Sequence, residues 1–341
     1  EFMDRRDGWP GLRARYGLPQ RDVRGLDHDL AYRGLVSGGI DATDLYSTDP
    51  EIDIHHLALL EDDRGWFPDY TAVLLYRADL KQRAPEALRS ILRMEGRISR
   101  EEMIRLNLEV EKHGVPEGRA AGDFLAKEFA VVSSYEAPSL WERILARTLE
   151  HLRLVGLSLA AAVLLAVPLG ILAAENPLLG QFTQGAVGIL QTIPTLVLLV
   201  AFIPLLGIGA LPAMAALFLY SLLPIVVNTH AGLRGIPIEL RESARALGLR
   251  RMARLRRIEL PLAAPSILAG IRTAAVINIG TATLGALIGA GGYGQPILSG
   301  IRLADNGLIL EGAVPAALLA LAAQGLFHWS ERWLVPKGLR L

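Results

Sequence analysis

The chain has 341 residues, 51% of them hydrophobic, and its 35 basic and 35 acidic side chains balance. Cysteine is absent, which excludes disulfides, thiolate metal sites and cysteine nucleophiles. The balance hides a division, because residues 151–341 carry 14 basic and 7 acidic groups while the first 150 residues are acidic. This division predicts a soluble domain followed by a membrane domain.

Residues 1–132 are predicted to form an α/β domain, because short extended patterns alternate with helical ones. The predicted strands, each ended by turn residues, are 40–46, 57–60 and 71–76. The predicted helices that follow them are 85–94 and 101–113. Ser99 precedes the second helix, and Glu102 stands three residues after it, which is the pattern of a capping box.

Four segments of this domain resemble the substrate-binding proteins of osmoprotectant ABC importers, the glycine betaine, carnitine and choline family. The segments are EFMDRRDGWPGLRARYGL at 1–18, AYRGLVSGGIDATDLYSTD at 31–49, LALLEDDRGWFPDY at 57–70 and EEMIRLNLEVEKHGVPEGRAAGDFL at 101–125. The resemblance implies a periplasmic-binding-protein-like type II fold. It covers the second lobe and the closing segment of the first, so it implies a partial domain, either a remnant or a sequence that lacks its beginning.

Two tyrosines, Tyr46 and Tyr70, match family positions that contribute walls to an aromatic cage. A quaternary ammonium ion cannot donate a hydrogen bond, so aromatic faces around the cation are the chemistry that recognises it. The resemblance therefore implies that these two side chains belong to a binding site for such a solute. Without the resemblance, tyrosines in an α/β lobe more often contribute to its packing.

Residues 133–153 are predicted to be a polar linker followed by an amphipathic helix at the membrane interface, which carries Trp141. Residues 154–341 hold five apolar segments, judged against the roughly 20 residues needed to span a bilayer. The predicted spans are 154–174, 185–206, 211–233, 262–288 and 308–329. The sequence therefore predicts an all-α polytopic membrane domain, and its prolines predict kinked helices packed around a pathway.

Between the third and fourth predicted spans lies a charged loop, residues 239–261, with seven arginines and three glutamates. Its basic excess predicts a cytoplasmic position by the positive-inside rule. Counting back over three spans places residues 1–132 outside the cytoplasm. Counting forward over two spans places the basic tail residues Arg332, Lys337 and Arg340 inside. The chain is therefore expected in the cell membrane, with an extracytoplasmic N-terminal domain and a cytoplasmic C-terminus.

The order of residues in the charged loop predicts a helix, a glycine break, a second helix and a proline stop. It resembles the EAA loop of ABC importer permeases, whose pattern is E-A-A-x3-G-x9-I-x-L-P. The matching residues are Glu242, Ala244, Gly248, Ile258, Leu260 and Pro261, and Ser243 replaces the middle alanine. The resemblance implies that the loop docks into a separate cytoplasmic ATPase. A topogenic basic loop alone would explain the arginines but not the glycine or the ending Ile-Glu-Leu-Pro.

Three membrane segments resemble osmoprotectant permeases in particular. They are TLEHLRLVGLSL at 148–159, QTIPTLVLL at 191–199 and AGIRTAAVINIGTATLGALIGAGGYG at 269–294. The resemblance implies the fold of a type I ABC importer permease that works as two copies, expected to be alike. No G-x4-G-K-[ST] pattern occurs in the chain, so ATP is expected to be used by a partner subunit and no cofactor is expected on this chain.

Polar residues of the fourth span have more than one interpretation. Arg272 is close enough to the cytoplasmic end to snorkel or to pair, which favours a structural role. Asn278, Thr281 and Thr283 could line the pathway or bond between helices, and the sequence does not decide. Residues 289–294, GAGGYG, follow a span rather than a strand, so a flexible extracytoplasmic turn is predicted instead of a dinucleotide loop.

These features together predict the permease subunit of an ATP-driven importer for quaternary ammonium compatible solutes, and not an enzyme. The expected partners are cytoplasmic ABC ATPases, a second permease copy, the bilayer and a small cationic or zwitterionic solute. Nucleic acid and metal ions are not expected. Two alternatives stay open, namely a permease for another small solute such as an amino acid and a secondary transporter driven by a gradient. Co-purification of an ATPase would distinguish the gradient-driven class.

Overall fold

The computed structural model describes residues 2–3, 5–26, 28–303 and 305–334. The chain forms two compact units, Glu1–Ala137 and Pro138–Leu341. The tail residues Lys337 and Arg340, on which part of the topology prediction depends, lie outside the described residues.

Helices make up the regular secondary structure of the described part of the first unit. They are α1 (Trp9–Tyr16), α2 (His28–Val36), α3 (Glu51–Ile54), α4 (Leu80–Arg83), α5 (Pro85–Leu92), α6 (Arg100–Glu111) and α7 (Glu117–Phe129). The two predicted helices are confirmed as α5 and α6. The serine cap of α6 is confirmed as well, since the Ser99 hydroxyl accepts a hydrogen bond from the Glu102 N–H at 3.2 Å.

The Glu102 carboxylate joins α6 to α7. It forms ion pairs with Arg105 on its own helix at 2.7 Å and with Lys127 of α7 at 3.3 Å. The Arg105 guanidinium, aided by the Lys127 ammonium, lowers the pKa of Glu102 to about 2. Glu102 is therefore a helix-to-helix contact in this unit, in addition to its backbone role at the cap.

The prediction of strands in the first unit is wrong for this structure. Residues 40–46, 57–60 and 71–76 carry no strand pairing, and most of their apolar side chains are exposed, including Leu60 at 92% and Leu75 at 95%. An extended segment is stable as a strand only when its backbone N–H and C=O groups pair with a neighbouring strand. No such neighbour lies alongside these segments among the described residues, so the apolar pattern produces irregular chain instead of a sheet.

The second unit is built from helices, several of them long. They are α8 (Leu140–Glu175), α9 (Pro177–Thr192), α10 (Thr195–Leu206), α11 (Ala210–Arg234), α12 (Ile238–Ala246), α13 (Arg251–Arg254), α14 (Leu260–Thr281), α15 (Gly294–Arg302) and α16 (Asn306–Leu334). A π turn, Leu255–Glu259, joins α13 to α14, and a 3-10 turn, Ala282–Ile288, continues α14. Among the residues that the structure describes, four helical runs are long and apolar enough to cross a membrane, or five if α9 and α10 together form one span.

The predicted interfacial helix and first span are a single helix, α8. It has 36 residues, and it begins with a complete capping box between Ser139 and Glu142. No proline interrupts it before Pro168, so its amphipathic and apolar parts continue one helical pattern. At 1.5 Å per residue the helix is about 54 Å long, which exceeds the hydrocarbon core of about 30 Å.

The second predicted span is bent by 95° between α9 and α10. The break lies at Ile193 and Pro194, because proline has no N–H to continue the helical ladder. The Tyr220 hydroxyl of α11 donates to the freed carbonyl of Ile193, and the Gln191 side chain donates to the Tyr220 carbonyl at 3.2 Å. The predicted kinking of the spans at proline is confirmed at this position, and these two bonds stabilise the bend.

Polar contacts define two opposite ends of the second unit. At the first end, Arg251 pairs with Glu175, the last residue of α8. At the other end, the Gly209 N–H donates to the Ile288 carbonyl at 2.8 Å, and Arg143 near the start of α8 pairs with Glu311 at 2.7 Å. The bent pair therefore begins at the first end and finishes at the second, so it connects the two ends as the predicted span would.

The glycine-rich segment 289–294, which was predicted to be a flexible extracytoplasmic turn, is a packed turn. Gly291 and Gly292 both have φ near +80°, at +82° and +76°, where L side chains are strained. The Gly292 N–H donates to the Glu150 carboxylate at 2.8 Å, and the Tyr293 hydroxyl bonds to the Thr148 hydroxyl at 2.8 Å. Tyr293 is buried, and the chain continues directly into α15, a helix that was not predicted.

Candidate functional site

The charged loop at the first end of the second unit begins with α12. Pro237 precedes this helix with an extended ψ of 138°, and Glu239 in the first turn suits the positive end of the helix dipole. Ala244 is buried, whereas Glu242 and Ser243 are exposed. The helix therefore packs through its small residue and presents the acid and the hydroxyl to solvent.

Gly248 ends α12 in the left-handed conformation, with φ at +74°. The Leu249 N–H donates to the Ala244 carbonyl at 3.2 Å, and the Gly248 N–H donates to the Arg245 carbonyl at 2.9 Å. These two bonds make a Schellman motif, which satisfies the last carbonyls of the helix. A Cβ at this position would meet nothing within 4 Å, so the backbone conformation and not lack of space requires glycine. The predicted glycine break is confirmed.

The predicted proline stop is wrong, because the chain runs through Pro261 into α14. The π turn Leu255–Glu259 precedes it, and the Leu260 N–H bonds to the Leu255 carbonyl five residues earlier. The wider π turn shifts the carbonyls with which a proline ring would otherwise clash. Ile258, Leu260 and Pro261 are half-buried and lie in the segment that joins the loop to the membrane helix.

The loop presents apolar and basic side chains to solvent. Leu247 is 79% exposed and Met252 58%, although both are large hydrophobic residues in a charged loop. Five arginines of the loop are also exposed, and they are Arg245, Arg250, Arg251, Arg256 and Arg257. An exposed apolar patch rimmed by charge is typical of a protein interaction site.

The three pathway candidates make different contacts. Asn278 is fully buried, and its side-chain amide donates to the Ser221 hydroxyl of α11 at 2.8 Å. Thr283 bonds to the Gly280 carbonyl of its own helix at 2.7 Å, and Thr281 is half-buried. Asn278 thus makes a bond between helices within one chain, and a pathway role for the three residues stays a prediction. Arg272 pairs with Glu331 of α16 at 3.4 Å, which is one of the two arrangements expected for it.

The predicted cage tyrosines lie on the surface of the first unit. Tyr46 is 57% exposed and Tyr70 is 54% exposed, so neither is enclosed in a pocket here. Another group of contacts in this unit is centred on Asp62. Its carboxylate accepts hydrogen bonds from the backbone N–H groups of Trp66 and Phe67 at 2.9 and 2.8 Å. These backbone N–H groups and the Tyr16 hydroxyl lower the pKa of Asp62.

One residue of the loop escaped the sequence reasoning. Glu259 occupies the variable position between Ile258 and Leu260, yet it is only 8% exposed and contacts two arginines of the loop. The sequence held one sign of this burial, because Glu259 lies between two apolar residues, Ile258 and Leu260, where the membrane helix α14 begins.

Two family models match the chain. Residues 166–338 match the binding-protein-dependent transport system inner membrane component, and residues 1–127 match the substrate binding domain of ABC-type glycine betaine transport systems. The predicted likeness of the two halves to an importer permease and to an osmoprotectant-binding domain is confirmed.

Curated relatives match the second half. The osmoprotectant import permease protein OsmW of Salmonella typhimurium is 45% identical over 198 residues, covering 57% of this chain and 92% of the relative. The choline transport system permease protein OpuBB of Bacillus subtilis is 43% identical, covering 58% and 91%. Among solved structures, the inward-facing MetNI methionine ABC transporter matches with a TM-score of 0.53 and 23% identity, covering 59% of this chain and 100% of that one. This structural likeness supports the predicted type I permease fold.

Proposed function

Because the chain belongs to the family of binding-protein-dependent transport system inner membrane components, we propose that it is the membrane-spanning subunit of an ATP-driven importer for quaternary ammonium compatible solutes. The solute class is supported by two independent parts of the chain. The first half matches a glycine betaine substrate-binding domain, and relatives of the second half are named as osmoprotectant and choline permeases.

The single observation that supports coupling to an ATPase is the geometry of the charged loop. A short helix, α12, ends in a glycine cap and exposes Glu242, Ser243 and Leu247. A separate cytoplasmic ATPase would hold this helix in a groove, as helix-in-groove recognition generally works. Two permease copies, proposed to be alike, would enclose the pathway, and closure of two ATPases would bring their loops together.

This proposal orients the membrane unit. The end that carries the charged loop is cytoplasmic, because its arginine excess follows the positive-inside rule. The opposite end, with residues 143, 209 and 289–311, is then extracytoplasmic, and so is the start of α8 that follows the first unit. Solute delivered at that end would enter between the helices when access switches outward.

The coupling role predicts that replacing Glu242 with lysine abolishes uptake while the protein still inserts into the membrane. The lysine reverses the charge of an exposed docking side chain, and like charges placed together across an interface oppose binding. The measurement is uptake of labelled glycine betaine by cells that express the chain with its ATPase, together with the amount of chain in the membrane fraction. Glu136→Lys, the same change on an exposed linker residue, serves as the control. Normal uptake in Glu242→Lys would rule out this loop as the contact.

The solute class predicts that the purified full chain changes its intrinsic fluorescence on adding glycine betaine, carnitine or choline. Tyr46→Ala and Tyr70→Ala should each weaken binding by roughly 0.5–2 kcal/mol, the contribution of one cation–π contact. Tyr76→Ala, which removes another exposed tyrosine of the unit, should leave binding unchanged. If none of the three solutes changes the fluorescence, the first unit does not bind them, and the permease assignment stands without it.

A further inference from the structure

A buried acid lies beneath the exposed face of the charged loop. Glu259 is 8% exposed and closes the π turn that connects the loop to α14. A buried carboxylate is costly unless cations and hydrogen-bond donors surround it. The contacts of Glu259 therefore indicate what this position does.

The closest of these contacts is with Arg254, the last residue of α13. The Arg254 Nε donates to Glu259 Oε1 at 2.8 Å, and the side chains of both residues are mostly buried, at 15% and 11% exposure. The two residues are five positions apart, a spacing that the π turn brings onto one side of the chain. This pair fixes the second helix of the loop to the beginning of the membrane helix α14.

A second contact reaches the docking helix itself. Arg241 of α12 has its Nε 4.0 Å from Glu259 Oε1, and its guanidinium also donates to the Leu233 carbonyl. Leu233 lies in the last turn of α11, where helix carbonyls carry a partial negative charge. Arg241 thus lies between a carboxylate of the π turn and the carbonyl end of a membrane helix.

A further ion pair joins the loop to a membrane helix, but this pair is more exposed. Arg251 pairs with Glu175 at the end of α8 through its Nε at 2.9 Å, with side-chain exposures of 70% and 30%. Exposed ion pairs contribute little rigidity because water and salt screen them. The buried ion pairs that connect α12 and α13 to the start of α14 therefore meet at Glu259, which contacts both Arg241 and Arg254, while Arg241 also bonds directly to the end of α11.

We propose that Glu259 is a positioning residue that fixes α12 to the ends of α11 and α14, so that a force applied to α12 moves the membrane helices. This inference rests on the proposed coupling function of the loop. A docking partner contacts the exposed side chains of α12, whereas Glu259 is buried beneath them. Binding of the ATPase and transmission of its movement are thus assigned to different residues.

Neutralising Glu259 separates these two roles. Glu259→Gln keeps the shape of the side chain but leaves Arg241 and Arg254 without their counter-charge, and removal of one partner weakens a buried pair strongly. The exposed face of α12 is unchanged, because the backbone hydrogen bonds of this helix and of its glycine cap do not involve Glu259. The ATPase then still binds and hydrolyses ATP, while α12 moves without carrying the spans with it.

The test uses the complete transporter, with this chain and its ATPase subunits reconstituted in lipid vesicles. Three quantities are measured, namely the ratio of ATPase to permease after purification, ATP hydrolysis, and uptake of labelled glycine betaine. Glu259→Gln should keep the subunit ratio of the wild type, while uptake per ATP hydrolysed falls about tenfold, within the range typical of coupling between sites.

Glu311→Gln is the matched control, because it neutralises another buried acid that pairs with an arginine, at the opposite end of the unit. Any general effect of breaking a buried ion pair occurs in both variants, whereas only Glu259→Gln should change uptake per ATP. A second variant, Glu259→Asp, keeps a carboxylate between Arg241 and Arg254 on a shorter side chain. It should recover part of the coupling, and it applies also if Glu259→Gln gives too little protein.

Unchanged uptake per ATP in Glu259→Gln would overturn the inference, and so would loss of the ATPase subunits from that variant alone. Coupling in Glu259→Asp no better than in Glu259→Gln, at a normal protein level, would also overturn it. A failure of the proposed function is visible separately, because the wild-type chain would then bind no ATPase or show no ATP-dependent uptake.

Discussion

Replacing Gly248 with valine is expected to abolish solute uptake and leave insertion into the membrane intact. Gly248 has φ at +74°, and a side chain in this left-handed region costs roughly 1–2 kcal/mol, with β-branched residues among the least tolerant. The Schellman bonds at Leu249 and Gly248 would be lost, so the end of α12 and the direction of the following segment would change. The expected effect is large because the cap sets the direction in which the chain leaves α12 toward α13.

Gly248→Asn is the matched control for this experiment. Asparagine tolerates the left-handed conformation better than other residues with a side chain, and a Cβ here has open space. Uptake should therefore be retained largely in the asparagine variant and lost in the valine variant, with equal amounts of both in the membrane fraction. Equal uptake in the two variants would contradict the importance of the cap geometry.

The parts of this loop that sequence predicted correctly are those set by local chemistry. Glycine at the end of a helical pattern indicates a left-handed cap whatever surrounds it, so the role of Gly248 was predictable. The role of Pro261 was not, because a π turn can accommodate a proline that would end an ordinary helix. The π turn holds Glu259 buried between two arginines, and the order of residues in the sequence does not indicate these contacts.

Errors elsewhere have a common cause, since each depends on distant residues. The strands at 57–60 and 71–76 have suitable side chains, but a strand also requires a neighbour to bond with. The turn at 289–294 looked flexible because it is rich in glycine, and it is held by Thr148 and Glu150 from a helix far away in the chain. The bend at Ile193 was predicted from Pro194, but the contact with Tyr220 that stabilises it again comes from another helix.

The family resemblance and the geometry contribute different kinds of information about the candidate sites. Resemblance identified Tyr46 and Tyr70 from matching positions, but it gave no arrangement in space, and both are more than half exposed. The polarity of Asn278 within a span made it a pathway candidate, and the structure adds its bond to Ser221. Side-chain partners follow from how the helices pack, which a pattern of residue types does not specify.

The packing of α11 against α14 provides the second large expected effect, through Gly270. A Cβ at this glycine would lie 2.6 Å from the Pro224 carbonyl oxygen and 2.8 Å from the Asn228 Cβ, both closer than real contacts allow. The first of these atoms belongs to the backbone and cannot turn aside, so the two helices would have to separate. Close approach through small residues is the usual basis of helix association in membranes.

Gly270→Leu is therefore expected to destabilise the membrane unit by about 1–3 kcal/mol or more, the usual cost of overpacking. Gly280→Leu, ten positions along the same helix, is the control, since a Cβ there meets nothing within 4 Å. The measurements are the thermal unfolding midpoint of the purified chain in detergent and solute uptake in vesicles. Because α11 ends at the carbonyl that Arg241 binds and α14 follows Glu259, separating these helices should reduce uptake as well as stability. Equal unfolding midpoints for the two variants would show that α11 and α14 do not approach each other at Gly270 in this way.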